Sequence, residues 1–526
     1  SWSSAFPGSR IDLGAAQSIL HGLPTMSSFR HLPLGTRIPD RLHAVSCSLP
    51  TMRDVIGYEE KEAATIACIT SGYPRFVVHP LLGAIEQAWR KRFGLGDDAL
   101  WVTSSRRMAE AVATLLAPAR TRVLEHDGVN GVAHDGAPEL RARAKAYLQH
   151  TGGFLSSRAA QDYAARHGIF EQPESEETEP DDAPAILKAK LTELFAPAAA
   201  SDILLASSGM NAFWAAFRAV SDFQRQKGRD TWLQAGWLYL DTAAILAKFT
   251  HERHVHVFDV TDKAAIEAVF REQGSRLAGV VTEVTTNPLI HTADLPWLAG
   301  LARAHGACMI VDPSIVSAYN VDVAPHADIV LNSLTKYVAS EGDVIAGAVV
   351  LTPQCPSKRE LRTAIAAELE PVYARDLARL AFELRGFDAL MPKLNENARE
   401  VVDYLRGRKR GLRQLYWSLQ DGSRENYLRL ARAPDRIGPV ISFVVEGSME
   451  RFYDAAPFAK GPSFGMRTSL LSPFVYLAHY DLVSSESGRR MLAKAQLPAD
   501  LLRFSVGAEP VGEIIDALET GFAAAG

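Results

Sequence analysis

Lys336 stands in the stretch "ADIVLNSLTKYVASEGDVIAGAVVL", between one apolar run ending at Leu331 and a second that follows at once. Ser333 and Thr335 come just before it. An amine at the end of a buried strand can do covalent or proton-transfer chemistry if desolvation depresses its pKa below the usual ~10.4. Other strand-like runs end in useful groups too. "DILLA" is followed by Ser207, Ser208, Gly209 and Met210, which open a helix pattern. "GVV" runs into Thr282, Glu283 and then Asn287, and "CMIV" ends at Asp312. A Ser-Ser-Gly helix start offers free N–H groups and partial positive charge, which suits a phosphate. Glycine lets the backbone approach closely. An acid at a strand end can keep a pyridine nitrogen protonated, and a lysine can form a Schiff base with an aldehyde. Together these groups suit pyridoxal 5′-phosphate, whose protonated ring is an electron sink for a carbanion at Cα. Singly, the serines read as a helix cap, Asp312 as a loop acid and Lys336 as a surface lysine. Their common strand edge favours one site.

Positioning this set requires alternating strands and helices. "DILLAS", "LAGVVTEV", "ACMIVD" and "DIVLNS" read as strands, while "GMNAFWAAFRAVSDF" and "DLPWLAGLARAHG" have helical period. Such alternation implies an α/β domain with a mostly parallel central sheet and helices on both faces. Ligands of these sheets sit at the strands' carboxyl ends. From about Leu380 long helices and then mixed strands suggest a smaller α+β domain. "EQPESEETEPDDAPA" (171–185) reads as a solvated acidic linker. The expected organisation is an N-terminal arm (1–85), a helical insertion with the acidic linker (86–185), a coenzyme-binding domain (186–385) and a C-terminal domain (386–526). The first 39 residues hold three arginines and one acid, Asp12, a bias shared by disordered arms and transit peptides.

Composition narrows the function. A net charge of −5 argues against nucleic-acid binding. No apolar run approaches the ~18–20 residues of a membrane span. Cys47, Cys68, Cys308 and Cys355 are scattered without a C-x-x-C, which predicts a reducing, cytoplasmic setting and no zinc cluster. "GPSFG" (461–465) matches the nucleophile-elbow pattern of hydrolases, but Pro462 and the poor preceding strand speak against it. His251, His254 and His256 in "HERHVHV" read as a solvated strand entry rather than a metal site.

"SLTKY" followed by "GDVIAGAVV" resembles the coenzyme-lysine motif of the Cys/Met-metabolism pyridoxal-phosphate enzymes, and most of the chain after Ser201 resembles that family in order. The resemblance implies a fold-type I transferase. "SSGM" matches the phosphate loop (Ser208, Gly209, Met210), joined by Ser333 and Thr335. "LYLDT" implies that Tyr239 stacks on the ring. "TEVTTNP" puts Asn287 beside the ring hydroxyl, "VDPS" puts Asp312 at the ring nitrogen, and Lys336 carries the coenzyme. "LLRFSVGAEP" implies that Arg503 grips the substrate carboxylate, assisted by Ser469 of "SLLSPF". "SGYPRF" implies that Tyr73 and Arg75 reach a neighbouring subunit's phosphate site, hence a homodimer or homotetramer with shared active sites and an arm that contacts the neighbour.

"HAVSCSLPTMRDVIGYEE" and "GPSFGMRTSLLSPFVYLAHY" are most similar to the long fungal-type cystathionine γ-synthases, which also carry an extension and an insertion. The implied activity is γ-replacement on an O-acyl-L-homoserine by a thiol, with L-cysteine as nucleophile and Lys336 and Tyr239 as catalytic groups. A C–S lyase, an O-acylhomoserine sulfhydrylase and a non-catalytic scaffold are the alternatives. Departures touch the substrate side. Leu240-Asp241-Thr242 replaces a Gly-Gly-Thr type of loop, Pro313 follows Asp312, and "SLLSPF" carries no specificity glutamate.

Overall fold

The computed structural model describes residues 29–74, 77–171, 176–179 and 181–526. From the amino end, β1 (Arg37–Ile38) and β2 (Ser46–Cys47) form a short antiparallel ladder. Thr51 and Asp54 build a reciprocal capping box that starts the helix Met52–Glu59. Cys47, Leu49, Met52, Val55 and Tyr58 are buried in one core cluster with Phe458, Leu471 and Phe504. Backbone bonds from Val45 to Gly342 and from Leu49 to Lys460, both 2.9 Å, fasten the segment to its own chain. The described part of the arm thus packs on its own chain, against Gly342 near the end of the central-sheet region and against the C-terminal sheet. The Ser-rich stretch 1–28 lies outside the described residues, as does Arg75.

The insertion is not helical throughout. β3 (Ala99–Thr103), β4 (Thr121–His126) and β5 (Val129–His134) form an antiparallel sheet in the order β3-β5-β4. Asp127 and Gly128 close the β4–β5 hairpin with φ of 47° and 76°, the positive pair that a two-residue turn needs. Four helices (Pro80–Phe93, Arg106–Leu116, Pro138–Thr151 and Ser157–Arg166) accompany this sheet. Trp89, Leu100, Val112, Val132, Leu148 and Tyr163 belong to its separate core. That core takes in Leu81, Leu82 and Ile85, so the subdomain begins before residue 86. The acidic linker is also less solvated than its composition suggests. Glu176 pairs with Arg158 (2.9 Å) and Arg375 (2.7 Å), and Glu179 pairs with Arg385. Arginines from distant helices supply the countercharge that local sequence lacks.

Seven strands make the central sheet: β6 (Ile203–Ala206), β7 (Thr231–Ala235), β8 (His254–Val257), β9 (Leu277–Glu283), β10 (Cys308–Asp312), β11 (Ile329–Ser333) and β12 (Gly347–Leu351). Their order is β6-β12-β11-β10-β9-β7-β8, and only β12 runs against its neighbours. Side chains alternate between faces, as the two-residue strand period demands. Met309, Val311, Val330 and Val350 enter the core on one face, while Ile310, Ile329, Leu331 and Val349 enter the other. Both faces are covered, which explains the near-continuous apolar runs. The helix Phe387–Gly407 leads into the C-terminal sheet of β13 (Leu412–Tyr416), β14 (Val440–Val445), β15 (Ala459–Lys460), β16 (Leu470–Pro473) and β17 (Leu502–Ser505). Among the described residues no helix is long and apolar enough to cross a membrane.

Candidate active site

Because β9, β10 and β11 are parallel, their carboxyl ends deliver Glu283, Asp312 and Ser333 to one edge. A cavity of about 640 Å³ opens there. Its wall includes Tyr73, Ser208, Gly209, Met210, Tyr239, Asn287, Asp312, Ser333, Thr335, Lys336 and Arg503. The sequence-derived set therefore converges, apart from Arg75, which is not described, and Ser469, which faces elsewhere.

The phosphate end is formed by the helix Gly209–Arg225. Ser208 caps it, its hydroxyl accepting from Asn211 N at 3.0 Å. A Cβ at Gly209 would fall 3.1 Å from the Ser333 Cβ, so the helix start lies close against the end of β11. Thr335 lines the wall, but its hydroxyl already exchanges bonds with the Ala346 backbone at 3.1 and 3.2 Å. At the ring end, Asp312 Oδ1 accepts from Ser314 N at 2.7 Å, and burial raises its carboxyl to about 6. Glu283 lies beside it. Its Oε1 accepts the Tyr239 backbone N–H at 2.5 Å, fixing the loop that carries Tyr239, while its Oε2 is buried with no hydrogen-bond partner. Burial first, and the Asp312 charge second, push the Glu283 carboxyl well above the carboxylate range.

Lys336 donates to the Tyr73 hydroxyl and to Ser463 Oγ at 3.0 Å. The rings of Tyr73 and Phe464 lie 4.4 and 4.7 Å from its nitrogen. Desolvation, with the Arg503 charge adding to it, drives the Lys336 ammonium well below its ordinary value. Arg503 reaches the cavity from β17 between Phe464 and Phe474, donating to Asn287 Oδ1 (3.1 Å) and to the Ser463 carbonyl (3.0 Å). Within the single chain described, Tyr73 lines the cavity beside Lys336 and Ser463.

One further expectation changes. Ser469 does not assist Arg503, because its hydroxyl donates to Glu509 Oε2 at 2.8 Å and accepts from Gly507 N at 2.8 Å, away from the cavity lining. Its place is taken by Ser463, from the "GPSFG" stretch. Ser463 has φ of 103°, hydrogen-bonds Tyr73 at 2.8 Å, and has no helix after it, so it is no nucleophile elbow. The legible signal was a Ser-Phe-Gly ahead of a strand; its register in a coil was not readable. His254 and His256 sit on edge strand β8, bonded to Gln234 and to the Gly236 carbonyl.

The donor set fits pyridoxal phosphate: a helix N-terminus for the anion, a buried acid for the ring nitrogen, a desolvated amine for the aldehyde. Fold and site together define a fold-type I pyridoxal-phosphate enzyme. Residues 183–523 match the Cys/Met metabolism PLP-dependent enzyme family, and the chain belongs to it. It is 35% identical over 490 residues to an L-2-amino-4-chloropent-4-enoate dechlorinase/desaturase of Streptantibioticus cattleyicolor, covering 93% of this chain and 98% of that one. A cystathionine gamma-synthase of Neurospora crassa is 31% identical over 326 residues, 60% of this chain and 51% of that protein. Among solved structures, cystathionine gamma synthase from Xanthomonas oryzae pv. oryzae in complex with cystathionine superposes with a TM-score of 0.56 at 25% identity. It covers 65% of this chain and 86% of its own.

Proposed function

We propose that the chain removes a leaving group from the γ carbon of a small L-2-amino acid. The observation that carries this reading is the match along nearly the whole of both chains, insertion included, to a protein whose name places chlorine at C4 of a 2-amino acid. The cavity supports it. The cavity wall also carries the apolar side chains Val77, Val78, Leu82, Val129, Leu148 and Phe154. Charged residues that also line the cavity are paired among themselves: Arg166 with Asp127 at 3.4 Å, and Arg158 with Asp343 at 3.3 Å and Asp376 at 3.2 Å. Such a wall suits a short hydrophobic side chain better than the charged ends of a second amino acid.

Bound pyridoxal phosphate would supply the electron sink that acidifies Cα. Ser208, Gly209, Met210 and Ser333 would hold its phosphate, Asp312 its ring nitrogen and Tyr239 its face. Lys336, pushed toward the neutral amine, is suited to attack an aldehyde and to accept a proton. Tyr73 and Ser463 aim that amine and offer hydroxyls along a proton path. Arg503 would take the substrate carboxylate in a two-pronged grip, fixing which Cα bond stands over the ring. Its neighbours Asn287 and the Ser463 carbonyl preset the guanidinium plane.

The second reading is γ-replacement on an O-acyl-L-homoserine by L-cysteine, favoured by the Neurospora crassa relative. The two separate in one assay. Protein is incubated with L-2-amino-4-chloropent-4-enoate and with O-acetyl-L-homoserine, each with and without cysteine, and chloride, acetate and thiol are followed. Thiol-independent chloride release is expected. Acetate release that requires cysteine, with no chloride formed, would replace this reading by the second; inertness toward both would favour a scaffold.

A further inference from the structure

Asp241 marks a departure from the resembled loop, and the fold shows what this acid does. It lies near the start of the helix Leu240–Phe249, directly after Tyr239, and is 2% exposed. Gln149 Nε2 donates to its Oδ1 at 2.8 Å. His150 Nδ1 approaches the same oxygen at 3.3 Å, too far off line for a full hydrogen bond, and its Nε2 lies 2.8 Å from Lys248 Nζ. The next two residues turn to the other cofactor element. The Thr151 carbonyl accepts from Asn211 Nδ2 at 3.0 Å, and the Gly152 carbonyl accepts from Ser207 Oγ at 3.4 Å. Gly152 has φ of 68°, and a Cβ there would fall 2.5 Å from Ser208 Oγ. Four consecutive residues at the end of the insertion helix Pro138–Thr151 therefore touch both the segment bearing Tyr239 and the phosphate-binding helix start.

We infer that residues 149–152 are a positioning element that fixes the spacing between Tyr239 and the Ser208–Met210 cradle, so that the insertion helps to seat the coenzyme. The coenzyme joins ring to phosphate through a short CH2–O link, so the two elements it bridges must be held within a narrow range of separation. Burying Asp241 away from water requires the partners that the insertion supplies. A contact serving stability alone would lower the melting temperature without distinguishing one end of the coenzyme from the other.

The experiment titrates coenzyme-free protein with pyridoxal 5′-phosphate and, separately, with pyridoxal, reading visible circular dichroism and thermal melting. Gly152→Ala, which drives a methyl group into Ser208, is expected to weaken pyridoxal phosphate binding about tenfold while changing pyridoxal binding less than about twofold. Gln149→Leu is expected to reduce the dichroism of saturated protein by about half or more, as Tyr239 loses its fixed orientation, with a lower melting temperature because buried Asp241 loses a donor. Arg106→Ala, on the exposed Arg106–Glu110 pair of the insertion, leaves every reading unchanged. Native affinities and dichroism in both folded variants would overturn the inference. So would equal weakening of both ligands by Gly152→Ala together with a fall in melting temperature. If Gly152→Ala does not fold, the dichroism of Gln149→Leu decides alone.

Discussion

Replacing Asp312 by asparagine tests the electrostatics of the ring end quantitatively. In the coenzyme-free chain burial holds this carboxyl at about 6, against an ordinary 3.8. Between those values the folded protein retains a proton that the unfolded chain has released, so stability falls as pH rises from 4 to 6. At about 1.4 kcal/mol per pH unit the full loss is about 3 kcal/mol, absent below pH 4 and complete above pH 6. A cationic ring nitrogen beside the carboxylate reverses the balance by favouring the charged form. Urea unfolding of wild type and Asp312→Asn at pH 4, 5, 6 and 7, with and without pyridoxal phosphate, isolates the effect. Asp328, also raised to about 6, is common to both proteins and cancels. The coenzyme-free wild type should lose about 3 kcal/mol relative to the variant over this range, and pyridoxal phosphate should remove that slope. The variant should bind the coenzyme roughly ten- to a hundredfold more weakly. Parallel pH profiles for wild type and variant, or a slope that survives coenzyme loading, would refute the assignment.

Other substitutions separate neighbouring roles. Ser463→Ala removes a hydroxyl bonded to both Lys336 and Tyr73, and should cut turnover about ten- to a hundredfold with the melting temperature nearly unchanged. Ser469→Ala should do the reverse, costing about 1–3 kcal/mol of stability through Glu509 and Gly507 while steady-state turnover per folded molecule holds. Co-purified mixtures of Tyr73→Ala and Lys336→Ala chains should show no more activity than the separate variants, because Tyr73 meets Lys336 within one chain. Recovery of one native site per mixed pair, read from turnover, would instead mean that subunits share the tyrosine.

The coenzyme edge was legible because short apolar runs mark strands, and parallel strands place their ends together. Lys336, Asp312 and Ser208 needed no more than that order, whereas Tyr239 came from the family resemblance of "LYLDT". The insertion sheet was harder to see: β4 and β5 mix polar residues such as Arg122, Glu125, His126, Asn130 and His134 into their apolar ones, and the strong local cue was the Asp127–Gly128 turn. Ser463 and Ser469 lie six residues apart near strand β16, and only the three-dimensional path of the coil decides that Ser463 meets Arg503, through its backbone carbonyl. Non-local partners were invisible for the same reason. Glu176 reads as a solvated acid until Arg158 and Arg375 arrive from elsewhere, and Asp241 reads as an oddity until Gln149 does.

The most direct measurement reduces coenzyme-loaded protein with borohydride, digests it and locates the pyridoxyl group by mass spectrometry. The structure predicts a single adduct on Lys336, and none in Lys336→Ala, whose visible band is lost or shifted. A colourless protein after incubation with pyridoxal phosphate, or an adduct on a different lysine, would contradict the central claim that this desolvated amine carries the coenzyme.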